Sequence, residues 1–175
     1  MKTQSPKKSV AMIIAHQVFQ DMEYGTSKDI IEKNGIKVLT ASSDLSEATG
    51  KYGGKIKPDL LVKDINVDEF DAVVFIGGGG CQQYFDDPAA LKVAKETKEK
   101  GKILSAICLA PNILANAGLL KRINATCWDS DNLKEKGANY TGKQVEKVGK
   151  IITGKNPDAA EEFGNAIVDA LLKNS

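Results

Sequence analysis

Short apolar runs alternate with amphipathic stretches along the whole chain, the pattern of successive strand–helix units wound around a parallel sheet. Residues 9–15 (SVAMIIA) are apolar at nearly every position, so they predict a first strand covered on both faces. A helix is predicted from about 22 to 34, closed at Asn34-Gly35 where glycine accepts the left-handed conformation of a C-cap, and residues 36–40 resume as a strand. The stretch 50–62 carries glycines and a short alternation through Lys55, Ile56 and Lys57, which predicts a small antiparallel excursion at the sheet edge. Residues 70–76 (FDAVVFI) read as a further buried strand that runs straight into four glycines at 77–80. Asp87-Pro88 opens a lysine-rich helix ending near Gly101, with proline in the first turn and glycine past the last. There follow a central strand at 102–107 (KILSAI), a helix at 111–117 closed by Gly118, a short strand at 124–127, and a hairpin of 145–148 and 150–153 about Gly149. The last element is an amphipathic helix over 158–172 with Ala159, Phe163, Ile167 and Leu171 on one stripe. The expected architecture is α/β: a three-layer sandwich, its sheet mostly parallel with helices on both faces, in a single domain of residues 1–175 whose first eight residues form a flexible tail.

Composition narrows the function classes. The 175 residues carry 24 Lys+Arg against 23 Asp+Glu, so no strong field exists to collect nucleic acid, anionic membrane or acidic substrate. Neither a nucleic-acid nor a membrane partner is expected. Lys2, Lys7 and Lys8 cluster at the start, but no apolar stretch of a signal peptide accompanies them and no run approaches bilayer length. Three cysteines, Cys81, Cys108 and Cys127, cannot all pair, and their scatter does not match a secreted disulfide framework; free thiols in a reducing, cytoplasmic compartment are expected.

In an open parallel sheet, the loops after the strands share one edge, and ligands bind in the crevice beyond those carboxyl ends. Four loops converge there, carrying residues 16–23, 77–81, 108–111 and 127–129. The sharpest is Ala106-Ile107-Cys108-Leu109-Ala110-Pro111, an apolar strand that stops at a cysteine and starts a helix at once, the layout of a nucleophile elbow. On such a turn the sulfur faces a helix N-terminus whose free N–H groups favour thiolate and can hold an oxyanion, with Gly78 or Gly79 as the second donor. The blander reading of Cys108 is a small buried hydrophobe. The glycine run lacks both the P-loop lysine spacing and the dinucleotide fingerprint, so no phosphate or nicotinamide cofactor is expected. Cys81 and Cys127 also follow strands that end at this edge; they pack, resolve an oxidised sulfur, or bind a soft metal. Trp128 is a candidate pocket wall, and Asp129 a second wall or the cap of a helix beginning near Asp131. His16 reads as a solvated or hydrogen-bonded loop residue.

These residues together resemble the ThiJ/PfpI superfamily. The likeness covers nearly the whole chain and rests on Ala106-Ile107-Cys108 followed by Pro111, on Val73-Val74-Phe75-Ile76 leading to Gly78-Gly79, on Asp21-Met22-Glu23, and on Glu162-Phe163 with Ala166-Ile167-Val168. It implies a flavodoxin-like, class I glutamine amidotransferase-like fold, with no cofactor and no metal. By the same resemblance, Glu23 is the carboxyl that hydrogen-bonds an acidic, easily oxidised Cys108 thiolate, in a pocket completed in a homodimer or higher homo-oligomer. A carboxyl can serve this way only while protonated, because an ionised one repels the thiolate, so Glu23 must have its pKa raised by burial. The chain departs from the family at histidine: protease-like members place one where this chain has Leu109, and the deglycase subgroup where it has Cys127 or Trp128. Leu109, Cys127, Trp128 and His16 are the remaining expected pocket residues. Two readings follow. One is a cysteine-dependent hydrolase or lyase, deglycase-, glyoxalase- or peptidase-like, on small carbonyl or peptide substrates with Cys108 and Glu23 as catalytic pair. The other is a non-catalytic redox sensor or stress-response chaperone acting through oxidation of Cys108.

Overall fold

The uninterrupted apolar run at the start of the chain has a direct cause in its position. In the computed structural model, which describes residues 7–173, it is a middle strand with helices over both faces. In chain order the elements are β1 (Ser9–Ile13), β2 (Gln17–Phe19), α1 (Asp21–Lys33), β3 (Lys37–Ser42), β4 (Ala48–Gly50), β5 (Lys55–Ile56), β6 (Leu60–Leu61), β7 (Ala72–Phe75) and α2 (Pro88–Glu99). There follow β8 (Ile103–Ile107), α3 (Pro111–Asn116), β9 (Asn124–Ala125), α4 (Asp131–Glu135), β10 (Asn139–Tyr140), β11 (Val145–Val148), β12 (Ile151–Gly154) and α5 (Ala160–Lys173). The main sheet has the order β11-β12-β8-β7-β1-β3-β6, and every pairing in it is parallel except β11 with β12.

Side chains alternate across a strand, so each buried strand feeds two cores. Val10, Met12, Val74, Ile76, Ile103 and Ile107 point to the side where α1 and α5 pack together over the sheet. Ala11, Ile13, Val73, Phe75, Leu104 and Ala106 face the opposite side, under α2 and α3. The predicted stripe of the final helix is buried along its length: Ala159, Phe163, Ile167 and Leu171 are all in the core. The expected three-layer, mostly parallel α/β sandwich is the fold observed.

Several local expectations change. The 50–62 excursion joins β2 in a small sheet of order β2-β4-β5, antiparallel between β4 and β5, while β6 returns as the parallel edge of the main sheet. The predicted strand at 124–127 shortens to β9 and stays outside the main sheet, pairing with β10 instead. Asp129 does not cap the following helix; the residue at the cap is Ser130, and no side chain bonds the free N–H groups there. Of the expected tail, residues 1–6 lie outside the described residues. Lys8 is not loose: its carbonyl accepts the Lys37 N–H at 3.0 Å and its amine lies 4.0 Å from Asp71. Among the described residues no helix is long and apolar enough to cross a membrane.

The strand order also locates the crevice. From β1 the chain moves one way to β3 and then back past β1 to β7, β8 and β12, so the connections diverge between β1 and β7. The segment after β1 and the glycines after β7 meet across that gap, where the Gln20 N–H donates to Gly77 O at 3.0 Å. The loop after β8 lies next door.

Candidate functional site

Cys108 follows β8 with φ of 65°, a left-handed conformation that non-glycine residues adopt at a cost, commonly at functional sites. Three hydrogen bonds hold it there. Its N–H donates to Gly154 O at 2.9 Å, and its carbonyl accepts both the Trp128 N–H at 2.7 Å and the Cys127 thiol at 3.1 Å. Pro111, fixed in φ and lacking an N–H, then starts α3 without wasting a donor.

Glu23 reaches the same point from the first turn of α1. Gln20 caps that helix, its Oε1 accepting the Met22 and Glu23 N–H groups at 2.7 and 3.0 Å. The Glu23 side chain is fully buried, and its Oε1 accepts the Gly77 N–H at 2.9 Å. Gly77 permits this approach: a Cβ there would sit 2.7 Å from Glu23 Oε1 and 2.8 Å from the Cys108 Cβ. The Cys108 thiol neighbours the carboxyl closely enough to shift its titration, yet no well-aligned hydrogen bond reaches Oε2, which is buried without a partner.

The electrostatics follow from burial. Loss of water is the main cause that lifts Glu23 to about 8, against smaller downward pulls from Cys108 and the Gly77 N–H. The carboxyl therefore holds its proton at neutral pH. The expected acidic thiolate is corrected: burial first, and then the Glu23 carboxylate, push the Cys108 thiol up, and the Leu109 N–H is the group that draws it down. The six-residue α3 does not reverse the loss of solvent. A proton on Glu23 removes that repulsion and gives the thiolate a donor, so the two groups titrate as a pair.

Of the expected oxyanion donors, neither Gly78 nor Gly79 donates its N–H to another backbone group among the described residues. Gly78, at φ of 101°, is pressed against the chain: a Cβ would lie 2.5 Å from Val18 O and Gln20 N. Gly79 is exposed and would meet only Val18 Cγ1, at 3.8 Å. Leu109 is half-buried between the two cores. Trp128 stands 59% exposed on the rim, whereas Cys127 is wholly buried, its thiol pushed up to about 12 by burial. Cys81 is buried too, and loss of water raises its thiol. Among the described residues no group of three metal-binding side chains is placed to hold an ion, so the three thiols do not form a metal centre.

His16 does not belong to the pocket. Its Nε2 pairs with Ser46 Oγ at 3.0 Å and lies 3.9 Å from Asp44, while Nδ1 meets the Gln17 amide at 3.3 Å. The short β2 ladder carries it toward the loop after β3. A cleft of about 220 Å³, lined by Ser42, Ser43, Leu61, Tyr84 and Asp87 among others, opens at that neighbouring strand end and contains none of the candidate residues. Two positions escape sequence reasoning, Gln20 and Gly154, while Gly77 stands out there only as part of the glycine run. Gln20 is not a preferred capping residue, and Gly154 sits in a strand of another βα unit, so neither left a local signal.

Comparison with known proteins identifies the family. Residues 8–170 match the DJ-1/PfpI family. The chain belongs to that family. An uncharacterised protein of Methanocaldococcus jannaschii is 37% identical over 171 residues, covering 95% of this chain and 83% of that protein. The glutathione-independent glyoxalase DJR-1.2 of Caenorhabditis elegans is 28% identical over 166 residues, covering 94% and 89%. The crystal structure of a ThiJ/PfpI domain protein from Brachyspira murdochii superposes with a TM-score of 0.92 at 36% identity, covering 97% of this chain and 99% of that one. Other DJ-1/PfpI relatives are named as deglycases or as a putative cysteine protease.

The raised Glu23 pKa makes folding depend on pH with a definite sign. Between the ordinary 4.5 and about 8, the folded chain keeps a proton that the unfolded chain has lost. This contribution is complete below about 4.5 and is lost as pH rises through about 8. Thermal melts of the parent and Glu23→Gln are expected to diverge progressively between about pH 4.5 and about pH 8 and to run parallel above that. The parent should lose on the order of a few kcal/mol relative to the variant, and parallel melting curves at all pH values would refute the assignment.

Proposed function

We propose that the protein is a cysteine-dependent enzyme acting on small reactive carbonyl compounds, α-oxoaldehydes or the adducts they form, with Cys108 as nucleophile and Glu23 as proton carrier. One observation carries this reading: a buried carboxyl that keeps its proton at neutral pH beside a strained thiol, with the single histidine engaged elsewhere. The Cys108 sulfur adds to the aldehyde carbon, and the thiol proton passes to the carbonyl oxygen through Glu23. One carboxyl oxygen then takes the proton of the former aldehyde carbon while the other protonates the neighbouring carbonyl oxygen, giving an enediol. Glu23 next protonates the neighbouring carbon and takes back the proton of the first hydroxyl, leaving a thioester that water hydrolyses to a hydroxy acid and the free thiol. No redox cofactor enters that balance. Peptide hydrolysis fits less well, since it needs a base for water and an acid for a departing amine near neutral pH, a role imidazole usually fills. Glyoxalase and deglycase relatives support the carbonyl reading. Free thiols suit the reducing cytoplasm proposed as its compartment.

Purified protein is expected to turn over methylglyoxal, with activity abolished in Cys108→Ser and lowered roughly a hundredfold or more in Glu23→Gln. The rate should fall above about pH 8 as Glu23 ionises. Turnover no greater than that of Cys108→Ser defeats the proposal.

The unpartnered Glu23 Oε2 supports a second reading, a redox sensor. A protonated carboxyl can donate to an oxygen carried on sulfur, so two equivalents of peroxide would take Cys108 to a sulfinic acid with release of water. Intact and peptide mass after mild peroxide should place two oxygens on Cys108; oxygen on Cys81 or Cys127 with Cys108 untouched removes this reading.

Val18, Met22 and Trp128 expose apolar side chains on segments that adjoin the site. We propose that a second copy covers this rim, as in the homodimer that the resemblance implies. Light scattering is expected to give twice the protomer mass at micromolar concentration, and a monomer there overturns it.

A further inference from the structure

A series of hydrogen bonds, all donating in one direction, ends at the backbone carbonyl of the nucleophilic residue. Asn132 Nδ2 donates to Asn112 Oδ1 at 3.0 Å, and Asn112 Nδ2 donates onward to the Cys127 sulfur at 3.5 Å. The Cys127 thiol donates to the Cys108 carbonyl at 3.1 Å. That carbonyl shares its peptide group with the Leu109 N–H, the neighbour that draws the Cys108 thiol down. The Trp128 N–H gives the same carbonyl a second donor at 2.7 Å.

Each link passes through a polarisable group. A donor at a peptide oxygen draws charge toward that oxygen and leaves the N–H on the far side of the peptide more positive, so successive bonds strengthen one another in a water-poor interior. The Asn112 side-chain amide does the same, accepting at Oδ1 and donating from Nδ2. A second bond from Nδ2 to Leu109 O at 2.9 Å fixes the following peptide as well. We infer that Cys127 and Asn112 are positioning residues for the nucleophile: their donation into the Cys108 carbonyl strengthens the Leu109 N–H that stabilises the Cys108 thiolate.

The inference rests on the reading of Cys108 as the reactive thiol. It also gives a physical role to Cys127, one of the two positions, with Trp128, at which the resemblance leads one to expect the histidine of the deglycase subgroup. Cys127 is suited to it, because a thiol this deeply buried keeps its proton and remains a donor across the neutral range. The other titratable groups near the pair act the opposite way. Glu23 from α1 and Cys81 from the turn after the glycines raise the Cys108 thiol when charged, and Asp129 raises Cys127. The chain of donors is their counterweight.

The test is the pH profile of Cys108 alkylation by iodoacetamide, read by peptide mass so that Cys81 and Cys127 do not contribute. Cys127→Ala should slow alkylation at neutral pH by about threefold or more, equivalent to about half a pKa unit, and move the midpoint upward. Cys127→Ser, which restores a donor, should hold the midpoint at or below that of the parent. An unchanged profile in Cys127→Ala, or a Cys127→Ser shift as large as that of Cys127→Ala, overturns the inference. If Cys127→Ala does not fold, Asn132→Ala decides: it is partly exposed and one link further out, and should show a smaller shift in the same direction, whereas no shift overturns the idea. A parent whose Cys108 fails to alkylate at any pH defeats the functional reading and this one with it. A Cys108 that alkylates with indifference to Cys127 defeats this one alone.

Discussion

A carboxyl group without a counter-charge lies buried where three strand ends meet, and the local structure is arranged around keeping it there. Placing Glu23 away from water is unfavourable for its ionised form, and the protein meets that cost by leaving the proton on. Gln20 fixes the helix turn that delivers the side chain, and Gly77 supplies both a donor and the space that a Cβ would fill. Cys108 completes the pair from the next strand. An ionised carboxyl here would repel a thiolate; a protonated one can donate to it. The chemistry available at the site is set by that proton.

The opposing element is the strained elbow. A cysteine at φ of 65° is held only if its neighbours over-determine it, and here the Gly154 carbonyl, the Trp128 N–H and the Cys127 thiol grip both polar groups of its backbone. With the backbone so fixed, the sulfur stays beside Glu23 and the Leu109 N–H while losing most of its water. Burial raises the thiol, the Glu23 carboxylate adds to that, and the Leu109 N–H opposes both. In this chain the arrangement is a two-group site, one buried acid beside one thiol.

The position of His16 separates two neighbouring strand ends. Its ring belongs to the Ser46 and Asp44 loop, and the cleft at that strand end is built from different residues. The glycine run is likewise less uniform than its spelling. Gly77 makes room for Glu23 and Gly78 adopts a backbone that side chains avoid, while Gly79 faces solvent and meets almost nothing.

The sequence by itself determined the layers of this protein. Strands such as 9–15 and 70–76 are apolar on both faces, a pattern stable only between two helical layers, and Gly35, Gly101 and Gly118 marked where helices stop. The elbow was legible as well, because an apolar strand, a cysteine and a helix-opening proline follow one another within a few residues. What only the tertiary structure decided are relations between distant segments. The proton on Glu23 depends on how much water three separate loops exclude. The sign of the Cys108 shift depends on burial outweighing a local N–H, and His16 left the site because a short ladder between β2 and β4 carried it away. Cys127 entered the site through its reach to the Cys108 carbonyl, nineteen positions back in the chain. Local sequence dictates which groups sit on strand ends; solvent exclusion and long-range hydrogen bonds exist only once those ends are packed together.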